Sequence, residues 1–248
     1  MTDFTVRIIN SNARLSNADY GTAHTWPKRK QAYADRVINM EPDVIAFQEL
    51  RSKPSDDDTM PQVAWMQQEL AEASGALWQT HVLPESNVVT MVRPDWPILD
   101  SGAYTLPRQP NAANDYLIWV TIGVPGHGWF TVTNHHISTD DATMDAQMYA
   151  IPYWVTQLPY AVVCGDWNLA PNVPWFWGGA DFGTYTENKG YKSCHHWGAQ
   201  EKGTETDRIL VRPAEFRMVS MKQKFTDKAD ESDHNILFSE IVCLTANQ

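Results

Sequence analysis

DVIAFQELR, residues 43–51, is the stretch whose reading decides the fold. Asp43 to Gln48 is a short, nearly continuous apolar run, the pattern of a strand buried on both faces. Such a strand sits inside a covered sheet, so the chain is expected to form layers. At its end stand an amide and a carboxylate, Gln48 and Glu49.

Working outward, Phe4 to Asn10 alternates apolar and polar residues and reads as a strand. Thr25-Trp26-Pro27 has the small hydroxyl cap and first-turn proline of a helix start, and the helix is expected to run to about Asn39. Lys53 to Met60, with three consecutive aspartates, reads as a surface loop. Pro61 to Ser74 reads as a helix with Met66, Leu70 and Ala73 on one face, ended by Gly75. Strands are expected at Leu77–Leu83, Asn87–Val92, Tyr116–Ile122 and Trp129–Asn134, each bounded by Pro, Gly or Asp. Ser138 or Thr139 can cap a helix from Asp140, whose two aspartates suit its N-terminal dipole, and Pro152 is expected to end or kink it. Further strands follow at Tyr160–Gly165, Asp207–Val211 and Asn235–Leu244, with an irregular loop region from Pro171 to Gly203 before the last two. These elements make one α/β domain over residues 1–248: two mixed β-sheets packed face to face, with helices outside.

The composition excludes several classes. Of 248 residues, 43% are hydrophobic, which supplies a full core and rules out disorder. No apolar run approaches the roughly 18 residues of a membrane span, so no stable membrane association is expected. Met1-Thr2-Asp3-Phe4 shows no secretion signal, and three cysteines cannot form a fully paired disulfide framework. A reducing, cytoplasmic setting is the simpler expectation. With 19 basic against 30 acidic side chains the formal charge is −11. Nucleic-acid contact is therefore expected to be local and helped by a bound cation rather than spread over a basic surface. Nothing suggests a coiled coil, and a monomer is expected.

Polar residues cluster at strand ends: Asn12 after VRIIN, Gln48-Glu49 after DVIAF, His135-His136 after FTVTN, Gly165-Asp166-Trp167-Asn168 after YAVVC, and Ser232-Asp233-His234 before NILFSEI. Strands fix position and loops permit chemistry, so such ends are where a sandwich builds a pocket. In this order the clusters resemble the endonuclease/exonuclease/phosphatase superfamily, and the phosphodiester hydrolysis which that resemblance implies requires charge neutralisation on the phosphate, an activated water and a stabilised leaving oxygen. Glu49 is the best candidate for a Mg²⁺ ligand, with Asn12 contacting the ion, or a water on it, through its amide oxygen. Asp166 and Asn168 lie two apart and, if extended, point to one side, toward one phosphate. His136 and His234 suit an acid–base pair because imidazole titrates near neutrality. Asp233 is expected at the metal site or its water. Thr204 and Thr206 can donate hydroxyls to phosphate or structure the turn before Asp207. Cys194-His195-His196 does not read as a zinc site, because no further ligand sits at the usual spacing.

Taken in order, VIAFQELR (44–51), MVRPDW (91–96), PRQP (107–110), TNHHI (133–137), VVCGDWN (162–168), TDRILV (206–211) and ESDHNI (231–236) resemble the endonuclease/exonuclease/phosphatase superfamily, and within it the deoxyribonuclease I-like branch. The resemblance implies a four-layered α/β sandwich and metal-dependent phosphoester hydrolysis. It implies Mg²⁺, with Mn²⁺ or Ca²⁺ as alternatives, and DNA as the substrate partner. By the same resemblance Asp207 holds His234, Glu85 is suggested as the carboxylate partner of His136, and Arg108 grips phosphate. Trp78 or His81 stands where such nucleases place a ring against the minor groove. Arg14 occupies a position that is aspartate in the enzymes acting on abasic sites, which argues against that branch. The expected reaction is a deoxyribonuclease-type endonuclease cut by in-line water attack. The alternative is a phosphatase or phosphodiesterase of the same superfamily acting on a phosphoinositide, sphingomyelin or a small nucleotide.

Overall fold

A computed structural model of the chain describes residues 2–16, 18, 22, 24–54, 58–84, 86–108, 115–168, 192–193, 207–212, 214–224, 232, 234 and 236–244. The element order is β1 (Phe4–Asn12), α1 (Trp26–Ile38), β2 (Val44–Gln48), α2 (Gln62–Ser74), β3 (Gln79–Val82), β4 (Val89–Val92), β5 (Ile98–Thr105), β6 (Tyr116–Val124), β7 (Gly128–His136), α3 (Asp141–Val155), β8 (Ala161–Asp166), β9 (Lys192–Ser193), β10 (Asp207–Val211), β11 (Phe216–Lys224) and β12 (Ile236–Cys243).

Two six-stranded sheets form, ordered β11-β12-β1-β2-β4-β3 and β5-β6-β7-β8-β10-β9. Most pairs are antiparallel, but β1–β2 and β7–β8 are parallel. Each parallel pair needs a crossover, supplied by α1 and α3. The layers follow from how apolar residues alternate. Val44 and Ala46 of β2 enter the core between the sheets, with Val6, Ile8, Val120, Val132 and Val162. Ile45 and Phe47 point the other way, onto Trp26, Tyr33 and Val37 of α1 and Met66 of α2. Met148 and Ile151 of α3 cover Leu117, Ala161 and Val163 on the far side of the second sheet. Helices, sheet, sheet and helix make the four layers, and all five residues of β2 are buried.

Several local details differ from the sequence reading. Strands β5 and β11, and the two-residue β9, fall outside the expected strands. The cap of α3 is Asp140 rather than Ser138 or Thr139: its carboxylate accepts from Thr143 N at 3.0 Å. That helix continues three residues past Pro152, to Val155. Ala73 is exposed rather than on the buried face of α2, whereas Met66 and Leu70 are buried. Apart from β9, the segment from Pro171 to Gly203 lies outside the described residues, as does Cys194-His195-His196. Among the described residues no helix is long and apolar enough to cross a membrane.

Candidate active site

Both parallel pairs end at the same place. Asn12 closes β1 and Gln48 closes β2, with Glu49 next. His136 closes β7 and Asp166 closes β8. The carboxyl ends of parallel strands leave a crevice where the crossover connections diverge, and function collects there. Each sheet therefore brings half of the cluster. Asp207 opens β10 directly opposite Asp166. His234 precedes β12, which runs antiparallel beside β1.

Asn12 joins the halves. Its Nδ2 donates to Glu49 Oε1 and to Asp166 Oδ2, both at 2.9 Å. The amide oxygen accepts from Arg14 N at 2.8 Å. Glu49 Oε2 accepts from Leu15 N at 3.0 Å. His136 Nε2 stands 3.6 Å from Asp166 Oδ2 and 3.8 Å from Glu49 Oε1. His234 Nδ1 is hydrogen bonded to Asp207 Oδ2 at 2.7 Å and lies 3.7 Å from Asp166 Oδ2. The structure thus gathers Asn12, Glu49, His136, Asp166, Asp207 and His234 in one cluster. Ser232 Oγ donates to the Asn12 carbonyl at 2.9 Å, which ties the segment before β12 to the end of β1.

The electrostatics follow from burial. Desolvation pushes the Asp166 carboxyl up, but the imidazoles of His136 and His234 and hydrogen bonds from Asn12 and the Asn168 N–H outweigh it, so its pKa lies below the usual value. Asp207 is buried deeply enough that desolvation dominates over its bond to His234, and its pKa rises to about 6. His135, next to His136, turns away from the cleft. It is fully buried, packs edge-on to Trp167 at 4.3 Å, and desolvation lowers its pKa to about 3.

Asn168 departs from the extended geometry. Its backbone is left-handed at φ 48°, its N–H donates to Asp166 Oδ1 at 2.8 Å, and its side chain donates to the Ile137 carbonyl. The Asp166 carboxylate turns the chain there, an Asx turn. Arg108 is exposed on the segment after β5, which leaves the second sheet at the end where His136 stands. Trp78 is buried in the helix-side core and so presents no free stacking surface, while His81 is half-buried with Nε2 3.3 Å from the Gly102 carbonyl. Glu85, Thr204, Thr206 and Asp233 lie outside the described residues.

The donors fit a hard divalent cation. Oxygens of Glu49 and Asp166 converge on a single atom, Asn12 Nδ2, and carboxylate oxygens are the ligands such ions take. Donor atoms of Asp166, Asp207 and His234 also lie within 4.8 Å of one another. There the 2.7 Å bond between His234 and Asp207 engages two of the three, so the grouping reads first as an imidazole oriented by a carboxylate.

Two kinds of support lie outside the sequence reading. Beneath the cleft, Gln48 Nε2 donates to Asn10 Oδ1 at 2.9 Å and to Asn134 Oδ1 at 2.6 Å. Asn10 Nδ2 donates to the Gly165 carbonyl, and Asn134 Nδ2 to those of Phe47 and Val89. These three fully buried amides lock the sheets together under the site strands. Arg29 of α1 and Gln62 of α2 are also buried, against the turn after β1. Arg29 falls on the apolar stripe of α1 between Trp26 and Tyr33, and that spacing is the signal that could have found it.

Known structures share this architecture. The human Nocturnin catalytic domain with bound sulfate anion superposes with a TM-score of 0.73 at 16% identity, covering 98% of this chain and 97% of that one. An endonuclease/exonuclease/phosphatase from Bacteroides vulgatus gives 0.74 at 17%, covering 98% and 100%. D. rerio TDP2 complexed with single strand DNA product gives 0.66 at 14%, covering 96% and 98%. No curated protein matches in a sequence search. The sequence profile of the Endonuclease/Exonuclease/phosphatase family matches residues 10–234, which span every strand end described above, and the chain belongs to that family of hydrolytic phosphoesterases.

Proposed function

We propose that the protein is a Mg²⁺-dependent phosphodiesterase that cuts DNA as an endonuclease, by in-line attack of water. The observation that carries this reading is the convergence of Glu49 and Asp166 on Asn12 and of two imidazoles, His136 and His234, on Asp166, drawn from both sheets. Glu49 and Asp166 would hold the cation. When bound, it supplies positive charge to a phosphate that the protein's net charge of −11 would otherwise repel.

The chain's residues do the rest. His234, oriented by Asp207 through Nδ1, leaves Nε2 for a proton on the attacking water or leaving oxygen. His136, on the other side of Asp166, takes the complementary role. Asp166 is held ionised by both imidazoles. Asn168 and Arg108 are assigned to phosphate oxygens, with Thr204, Thr206, Asp233 and Glu85 as further candidates. DNA is favoured over a lipid or small phosphoester by the PRQP and MVRPDW segments and by the likeness to a fold solved with a DNA product. A panel of supercoiled plasmid, single-stranded DNA, RNA and phosphoinositide, with Mg²⁺ or with EDTA, tests the proposal. Nicked plasmid only with Mg²⁺ is the expected result. Intact plasmid beside hydrolysed phosphoinositide would move the assignment to the phosphatases.

A further inference from the structure

Arg14 and Glu49 both have left-handed backbones, at φ 57° and 55°, though neither is glycine. A residue with a side chain pays for that conformation and keeps it only where the surroundings over-determine it. Both turns serve the cleft: Arg14 N–H donates to Asn12 Oδ1, and Leu15 N–H donates to Glu49 Oε2. The same turn is gripped from behind by two helices. Arg29 Nη1 donates to the Ala13 carbonyl at 2.8 Å and Nη2 to the Arg14 carbonyl at 2.7 Å. Gln62 Nε2 donates to the Arg14 carbonyl at 3.1 Å, while its Oε1 accepts from Ser16 N and Arg51 N, both at 3.1 Å. One glutamine thus ties the turn after β1 to the turn after β2. Arg29 is 3% exposed and Gln62 1%. Burying a guanidinium on carbonyls is expensive, and a solvated lysine or an apolar residue would serve packing alone.

We propose that Arg29 and Gln62 are positioning residues for the divalent ion: they hold the Ala13–Ser16 turn so that its amides fix the orientation of Asn12 and the carboxylate of Glu49. The proposal rests on the reading that Glu49 holds a cation. Groups that orient metal ligands typically control about 10–100-fold in metal affinity.

The test is calorimetric titration of MgCl₂ into the wild type, Arg29→Met, Arg29→Lys, Gln62→Met and Glu49→Gln, each verified as folded by circular dichroism. Arg29→Met and Gln62→Met should raise the Mg²⁺ Kd by about 10–100-fold. Arg29→Lys, which keeps the charge but loses the two-carbonyl fork, should fall between them and the wild type. A lower Tm at unchanged Kd would show a purely structural role and overturn the proposal. Glu49→Gln should abolish binding; if it binds as the wild type does, the ion reading itself fails and this proposal falls with it. Should the Arg29 and Gln62 variants not fold, hydrogen exchange of the wild type decides. Arg14 and Leu15 amides exchanging as slowly as β1 and β2 support the clamp, and exchange at free-loop rates refutes it.

Discussion

His234 Nδ1 and Asp207 Oδ2 are 2.7 Å apart, in a place where Asp207 is so buried that its pKa rises to about 6. An acid with a raised folded-state pKa binds its proton more tightly folded than unfolded. Its stabilising contribution is therefore present at acid pH and lost as pH rises from about 4 through 6. Activity runs the opposite way, since the ionised carboxylate is what orients and stabilises a protonated His234. The rate should fall as pH drops below about 6. Asp207→Asn should be at least as stable as the wild type at pH 7, yet slower by about 10²–10⁴-fold. Urea titrations and a pH–rate profile of both proteins check the pair of outcomes. A strongly destabilised Asp207→Asn protein would contradict it.

The acid–base assignment makes its own demand. His136→Ala and His234→Ala should each lower kcat by about 10²–10⁴-fold while leaving the fold intact. Single-turnover cleavage rates measure this, and near-normal turnover in either variant removes that imidazole from the reaction.

His135 carries the reverse pH signature. Burial lowers its pKa to about 3, so the unfolded chain takes up a proton between about pH 6.5 and 3 that the folded chain refuses. Stability should rise with pH through that window, by up to about 1.4 kcal/mol per unit for this one group. Neither ring nitrogen has a hydrogen-bond partner among the described residues, so His135→Leu strands no group. Denaturant midpoints from pH 4 to 7 should flatten in the variant. An unchanged slope would mean that the ring is solvated.

How much of this was legible in the sequence depends on where each group sits. The strand-end residues were readable because hydrophobic pattern locates a strand and the polar residue follows it directly. The β2 run is the clearest case, with Val44 and Ala46 facing one core and Ile45 and Phe47 the other. Strands β5 and β11 escaped because both lie at sheet edges. Pairing on one side only tolerates ILDSGAYT and FRMVSMKQK, in which alternation is weak. Pro152 does not end α3 at once because its missing N–H breaks one helical bond, and three more residues still fit beyond it. The place of Arg29 on the apolar stripe of α1 marks it as buried and no more. Which carbonyls its guanidinium meets is a matter of helix-to-turn packing, which no local pattern encodes.

The amide lock beneath the cleft offers a test of how the two half-sites are held. Gln48→Met orphans Asn10 Oδ1 and Asn134 Oδ1, each of which loses its donor in a dry interior. The expected cost is about 1–3 kcal/mol per stranded group, read from urea unfolding. A variant as stable as the wild type would show that the amides find other partners and do not set the register of the sheets.

The central claim is that Glu49, His136, Asp166 and His234 act together on one phosphodiester with a bound cation. Nicking of supercoiled plasmid by the wild type and by Glu49→Gln, followed across a Mg²⁺ titration, tests it most directly. The account predicts Mg²⁺-dependent nicking by the wild type, none with EDTA, and a Glu49→Gln protein that stays folded but is nearly inert at any Mg²⁺ concentration. Equal nicking by the two proteins, or nicking that EDTA leaves untouched, would contradict it.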